Sequence, residues 1–218
     1  CVFFEQENNG FLFSEKNQKK KTKRKQIMKR SRLISIAVAL LLPLAAIADS
    51  YTSLWKQYDV AVRKDHPQTV LRLLSQIAYK AQRERAYGQL LKAQVKSADY
   101  QCELSADSLQ PVVERMKLME QQAVNSGDNV LAAIYQSVLG SVYTNNSFAL
   151  DDAKATGKQY FKKSMSHPDA LAKAYATGYE PFVVDGVDSK YYYDDMLHII
   201  AMRAKDYRTM HDYYASHG

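Results

Sequence analysis

The stretch SKYYYDDMLHII, from Ser189 to Ile200, gathers three tyrosines, two adjacent aspartates and a histidine. Side chains of these types hold metal ions, stack on sugars or pack helices together, depending on how the chain arranges them. Asp194 and His198 stand four residues apart, so a helix would place both on one face. Two ligands do not complete a metal site, and an acid–histidine pair on a helix surface is the commoner result of that spacing. The other histidines, His66, His167, His211 and His217, belong to no HExxH pair and no zinc pattern with a cysteine. Asp185-Gly186-Val187-Asp188 lacks the aspartate spacing and closing glutamate of an EF-hand and reads as a turn.

Cys102 is the other reactive group. A nucleophilic role would need a histidine brought to it by the fold. Its position instead continues the apolar series Leu91, Val95 and Ala98, which predicts a buried structural thiol. No GxSxG, Walker A or GxGxxG pattern occurs, so no catalytic, cofactor-binding or metal-ligating residue is assigned and no cofactor is expected. All sixteen tyrosines lie beyond residue 50. Tyr58, Tyr87, Tyr135, Tyr143 and Tyr160 fall on apolar stripes and are expected to pack. Tyr191, Tyr192, Tyr207, Tyr213 and Tyr214, together with Asp194 and His198, form the candidate interaction surface. Successive helical residues point about 100° apart, so the tyrosine triplet cannot form one flat platform.

The elements that must position these residues read as helices almost throughout, with apolar residues recurring at a 3.6-residue period. One stripe is Leu54, Tyr58, Ala61 and Val62. The next is Val70, Leu74, Ile77, Ala78 and Ala81, opened by Pro67, whose missing N–H suits a first helical turn. Tyr87 to Cys102 makes a third and Leu109 to Ala123 a fourth. Ser126-Gly127-Asp128 reads as a stop and a new N-cap before Leu131, Ile134, Tyr135, Val138, Leu139 and Val142. Residues 145–152 connect to a helix with Tyr160, Phe161 and Met165, and His167-Pro168 opens a short one. Gly178 to Asp188 lacks helical character, with Phe182-Val183-Val184 able to extend briefly. Two short helices close the chain. In the first, Tyr193, Met196, Leu197, Ile200 and Ala201 are expected to form the buried stripe, with Ser189 as cap. No hairpin of alternating apolar runs is present, so the fold class is all-α, built of antiparallel helical hairpins or an irregular bundle. Leu139-Gly140, Tyr143, Ala153, Tyr160-Phe161 and Pro168 echo a tetratricopeptide unit, with Pro168 later than that repeat places it.

The front of the chain alters the charge balance. The whole sequence is basic, with a pI near 9.2. From Met28, a positive segment (Lys29, Arg30, Arg32), an apolar core from Leu33 to Leu44 and Ala46-Ile47-Ala48 follow the order of a secretory signal. That core of about a dozen residues is shorter than the roughly 20 that span a bilayer. Cleavage is expected before Asp49, so the leader would engage a membrane only during export. Residues 1–27 begin without methionine and read as upstream translation or an unstructured lead. Residues 1–48 hold ten of the 30 Lys/Arg and three of the 23 Asp/Glu, which leaves 20 of each in residues 49–218. That part is formally neutral, and a nucleic-acid partner is not expected. It retains one cysteine, so it can form no internal disulfide.

Several segments resemble the N-terminal helical region of the alpha-2-macroglobulin-family proteins of Bacteroides-type bacteria. The features lie in Tyr51 to Ala93: Leu54-Trp55-Lys56, Lys64-Asp65-x-Pro67, Ile77-Ala78-Tyr79-Lys80-Ala81 and Gln89-Leu90-Leu91-Lys92-Ala93. Asp188-Ser189-Lys190-Tyr191-Tyr192 with Asp195-Met196-Leu197-His198-Ile199-Ile200 is similar to a second family stretch. The resemblance implies a periplasmic or envelope protein that traps proteases, in which this region is a non-catalytic helical platform ahead of β-domains. The implied partners are those downstream domains, with proteases or envelope proteins beyond them. The family's thioester pattern, Cys-x-Glu-Gln, is absent, since Cys102 is followed by Glu103-Leu104-Ser105. The pattern breaks off at Ser216-His217-Gly218, as expected of a piece of a longer protein. A free-standing tetratricopeptide-like adaptor for a peptide or glycan is the other reading.

Overall fold

The helical spacing of the apolar residues is followed by the backbone. The computed structural model describes residues 50–184 and 193–217, so Ala46, Ala48 and Asp49 of the expected leader junction, and Tyr191 and Tyr192, lie outside the described residues. Among those described there are nine α-helices and no strand. In order they are α1 (Tyr51–Arg63), α2 (Pro67–Glu84), α3 (Tyr87–Leu104), α4 (Leu109–Asn125), α5 (Asn129–Asn145), α6 (Ala153–Ser164), α7 (Pro168–Ala172), α8 (Met196–Ala204) and α9 (Tyr207–His217). The described part is all-α, and none of its helices is long and apolar enough to cross a membrane.

One turn geometry recurs four times. Asp65, Arg85, Gly127 and Lys205 each take a positive φ, between 51° and 74°, just after a helix ends. In each case the N–H of the next residue reaches back to the carbonyl of a buried alanine. His66 donates to Ala61 at 3.0 Å, Ala86 to Ala81 at 2.9 Å, Asp128 to Ala123 at 3.0 Å and Asp206 to Ala201 at 3.0 Å. This left-handed closure satisfies carbonyls that the helix end leaves open. The donating residue then starts the next helix, its own carbonyl accepting from Val70, Leu90, Ala132 or Met210. The chain therefore reverses within two residues. Only Gly127 meets the φ requirement without side-chain strain.

Those reversals set neighbouring helices antiparallel. Tyr51, at the start of α1, donates to Glu84 at the end of α2 (2.7 Å). Lys92 and Lys96 of α3 stand over the Trp55 and Tyr58 rings at 4.8 and 6.0 Å, so α3 runs parallel to α1. Gln136 of α5 donates to Glu120 of α4 (2.7 Å). Between α5 and α6 the approach is closest. A Cβ on Gly157 would stand 3.0 Å from the Gly140 carbonyl, and one on Gly140 would stand 2.8 Å from the Phe161 ring. Beside these glycines, Tyr143 stacks on Tyr160 at 5.7 Å.

The core passes from one hairpin to the next. Leu54, Val70, Leu74 and Ile77 join Ala93 in a first cluster, and Val95, Ala98 and Cys102 join Val112, Leu139 and Val142 in a second. A third holds Leu91, Ile134, Tyr135, Leu171, Met196, Leu197 and Ile200. Several expected positions differ. Val62 is 40% exposed at the end of α1, while Leu73 joins the interior of α2. Helix α5 is buried all round from Ala132 to Gly140 rather than along one stripe, because α4, α6 and α8 surround it. Phe182 and Val183 do not extend, since both donate to the Tyr179 carbonyl in a turn. That turn rests on the start of α3, where any Cβ at Gly88 would collide with the Glu180 carbonyl.

Candidate functional site

The late helices converge on Asp195. Its extended backbone (φ −134°, ψ 164°) precedes α8, and its carboxylate accepts from the His198 N–H at 2.9 Å. Asp195 is thus the N-cap of α8, where Ser189 was expected; the signal was present in an aspartate immediately before an apolar helical run. The same carboxylate accepts the Tyr214 hydroxyl, with both oxygens at 2.8 Å. Burial, then this hydrogen bond, pushes the Tyr214 phenol far above its ordinary range. One carboxylate therefore caps α8 and ties α9 to it. With those bonds made, it orients its neighbours and is poorly placed to act as a general base.

Aromatic rings spread from this point. Tyr193 lies before α8 rather than in its buried stripe, and is 60% exposed. It stacks on Tyr214 with centroids 4.1 Å apart. Tyr213 meets Tyr214 edge-on at 5.8 Å and stacks on His217 at 4.2 Å. Tyr175 is 72% exposed and forms a single antiparallel bridge with Asp195, so it borders the same patch. Tyr207 is exposed.

Asp194 and His198 do not share a helix face. Asp194 is exposed in the bend before α8, whereas His198 is buried, 8% exposed, with its ring 6.4 Å from that of Tyr193. Burial lowers the His198 pKa, and the nearby Asp195 charge opposes that shift. Among the described residues no group of three His, Cys, Asp or Glu side chains is assembled for a metal ion. Cys102 is buried in the second core cluster, and desolvation raises its thiol pKa, opposite to the activation a nucleophile needs.

Arg203 was not singled out by sequence. It projects from α8 onto α5, its Nε donating to Ser137 Oγ and its Nη2 to Ser141 Oγ, each at 2.8 Å. Desolvation pushes its pKa down to about 10, so the guanidinium stays charged at neutral pH. The sequence signal was a pair of serines four residues apart on a largely apolar helix.

No protein-family model matches this chain, and no curated protein or solved structure matches it either.

Proposed function

We propose that this chain is a non-catalytic helical interaction module of an exported protein. The observation that carries this reading is the tyrosine ledge, in which Tyr175 and Tyr193 stay exposed on either side of the Asp195 bridge while Tyr193 is held by stacking on Tyr214. A ring that is rigid, apolar and wet at its hydroxyl gives up little conformational freedom on binding a protein or a sugar. The resemblance of residues 51–93 and 188–200 to the alpha-2-macroglobulin family supports a place ahead of the β-domains of a periplasmic or envelope protease trap. Reading the coding sequence beyond codon 218 tests that placement. A long β-rich continuation with a thioester motif supports it, whereas a stop codon there rejects it.

A tetratricopeptide-like adaptor is the second reading. It is favoured by the α5–α6 hairpin, where Gly140 and Gly157 allow close backbone approach beside stacked tyrosines. Under either reading, double substitution of Tyr175 and Tyr193 by alanine removes partner binding without changing the helical circular dichroism. Binding retained in that variant would reject the ledge as the site.

A further inference from the structure

A second surface feature lies at the other end of the helical array. Near their connecting turn α1 and α2 leave an open groove of about 370 Å³. Lys56 lines it from α1, Lys64 from the turn just after α1 and Arg72 from α2, all three exposed. The α-carbons of Lys56 and Lys64 are about 12 Å apart, two helical turns. Midway between them in sequence, on the same face, Val60 is left 40% exposed, with Leu73 buried beside it. No acidic residue lines the groove.

Asp59 and Asp65, the nearest acids in sequence, are not among the residues lining the groove. Among the described residues none of the three cations takes part in an ion pair. Arg72 makes only a long contact, 3.4 Å, to Gln76 of its own helix. Residues 49–218 carry no net formal charge, so this concentration of positive charge is local.

We propose that the groove docks an acidic peptide segment of a partner protein, with carboxylates on Lys56, Lys64 and Arg72 and an apolar side chain on Val60. A lone inorganic anion would neutralise the cations but leave Val60 uncovered. An extended peptide advances about 3.3 Å per residue, so about four residues bridge the two lysines. That spacing sets carboxylates on either side of one apolar residue. The inference stands apart from the tyrosine ledge and from the family placement.

Photo-crosslinking of the full chain tests it. The probe is a peptide with glutamates on both sides of a central photoactivatable leucine, and adducts are mapped by mass spectrometry. Adducts are expected within residues 56–73. Their yield should fall about tenfold or more in the Lys56→Glu, Arg72→Glu double variant and in Val60→Asp. The double variant Lys158→Glu, Lys162→Glu, an equal charge change on α6, should leave that yield unchanged. If charge reversal unfolds the hairpin, Lys56→Gln with Arg72→Gln replaces it and should still lower the yield, by a smaller factor. Adducts confined to residues outside 56–73, equal losses in both charge-reversal variants, equal labelling by a glutamine peptide, or displacement by low concentrations of inorganic phosphate or an oligonucleotide would each overturn the proposal.

Discussion

At the scale of single residues, burial decides what each reactive group does. The Cys102 thiol lies in the second core cluster, and desolvation keeps it protonated. A maleimide reagent should leave it unmodified in the folded protein and label it fully in denaturant; rapid labelling under native conditions would contradict this placement. His198 is held below its ordinary pKa by burial, against the pull of Asp195. As pH falls below about 6.5, the unfolded chain binds more protons than the folded one. The stability contributed by the neutral ring is therefore complete above that pH and lost as the unfolded-state histidine protonates. Melting temperatures measured from about pH 7.5 down to about pH 5 should drop less in His198→Gln than in the parent. Tyr214→Phe keeps the ring stack on Tyr193 but removes the bond to Asp195, and urea unfolding should show a loss of about 1 kcal/mol, since the bond is partly solvent-screened.

At the scale of elements, the repeated turn and the glycine contact carry the architecture. Asp65, Arg85 and Lys205 adopt a left-handed backbone that glycine tolerates better. Lys205 is exposed, so Lys205→Gly should raise stability by about 0.5 kcal/mol, the relieved strain exceeding the added entropy of the unfolded chain. Gly127→Ala should lower stability by about 1 kcal/mol through φ alone, because nothing lies within 4 Å of its would-be Cβ. Gly157→Ala acts through space instead. Its Cβ would meet Thr144 Oγ1 at 2.8 Å and the Gly140 carbonyl at 3.0 Å, and a loss of about 1–3 kcal/mol is expected. Equal effects of the two alanine substitutions would undercut this distinction between strain and contact. The stop at Gly127 was legible because glycine marks a left-handed exit. At Asp65 the break was legible from the following His66-Pro67, whereas the same exit at Arg85 and Lys205 was not, since arginine and lysine ordinarily occupy regular helix and the requirement comes from packing the next helix against a buried alanine.

At the scale of the whole molecule, α5 is the hub on which α4, α6, α7 and α8 all pack, while among the described residues α1 packs chiefly on α2 and also touches α3. Sub-global opening should follow that inequality. Native-state hydrogen exchange should find the slowest amides in α5 and markedly faster ones in α1, and uniform protection would indicate a single cooperative unit. The Arg203 contacts to Ser137 and Ser141 join α8 to this hub, so their loss should spread exchange into the late helices first.

The sequence by itself determined the all-α class, the helix order, the N-cap at Asp128 and the burial of Cys102, because periodicity and capping are local and act through neighbours within a turn or two. Only the tertiary structure decided that α5 was buried all round, which residue capped α8 and where the tyrosines pointed. Those outcomes depend on helices far apart in sequence: α8 and α9 meet at Asp195, and α5 is enclosed on every side. SKYYYDDMLHII accordingly contributes a cap, a buried histidine and one exposed, stacked ring among its described residues, an arrangement its composition alone left open.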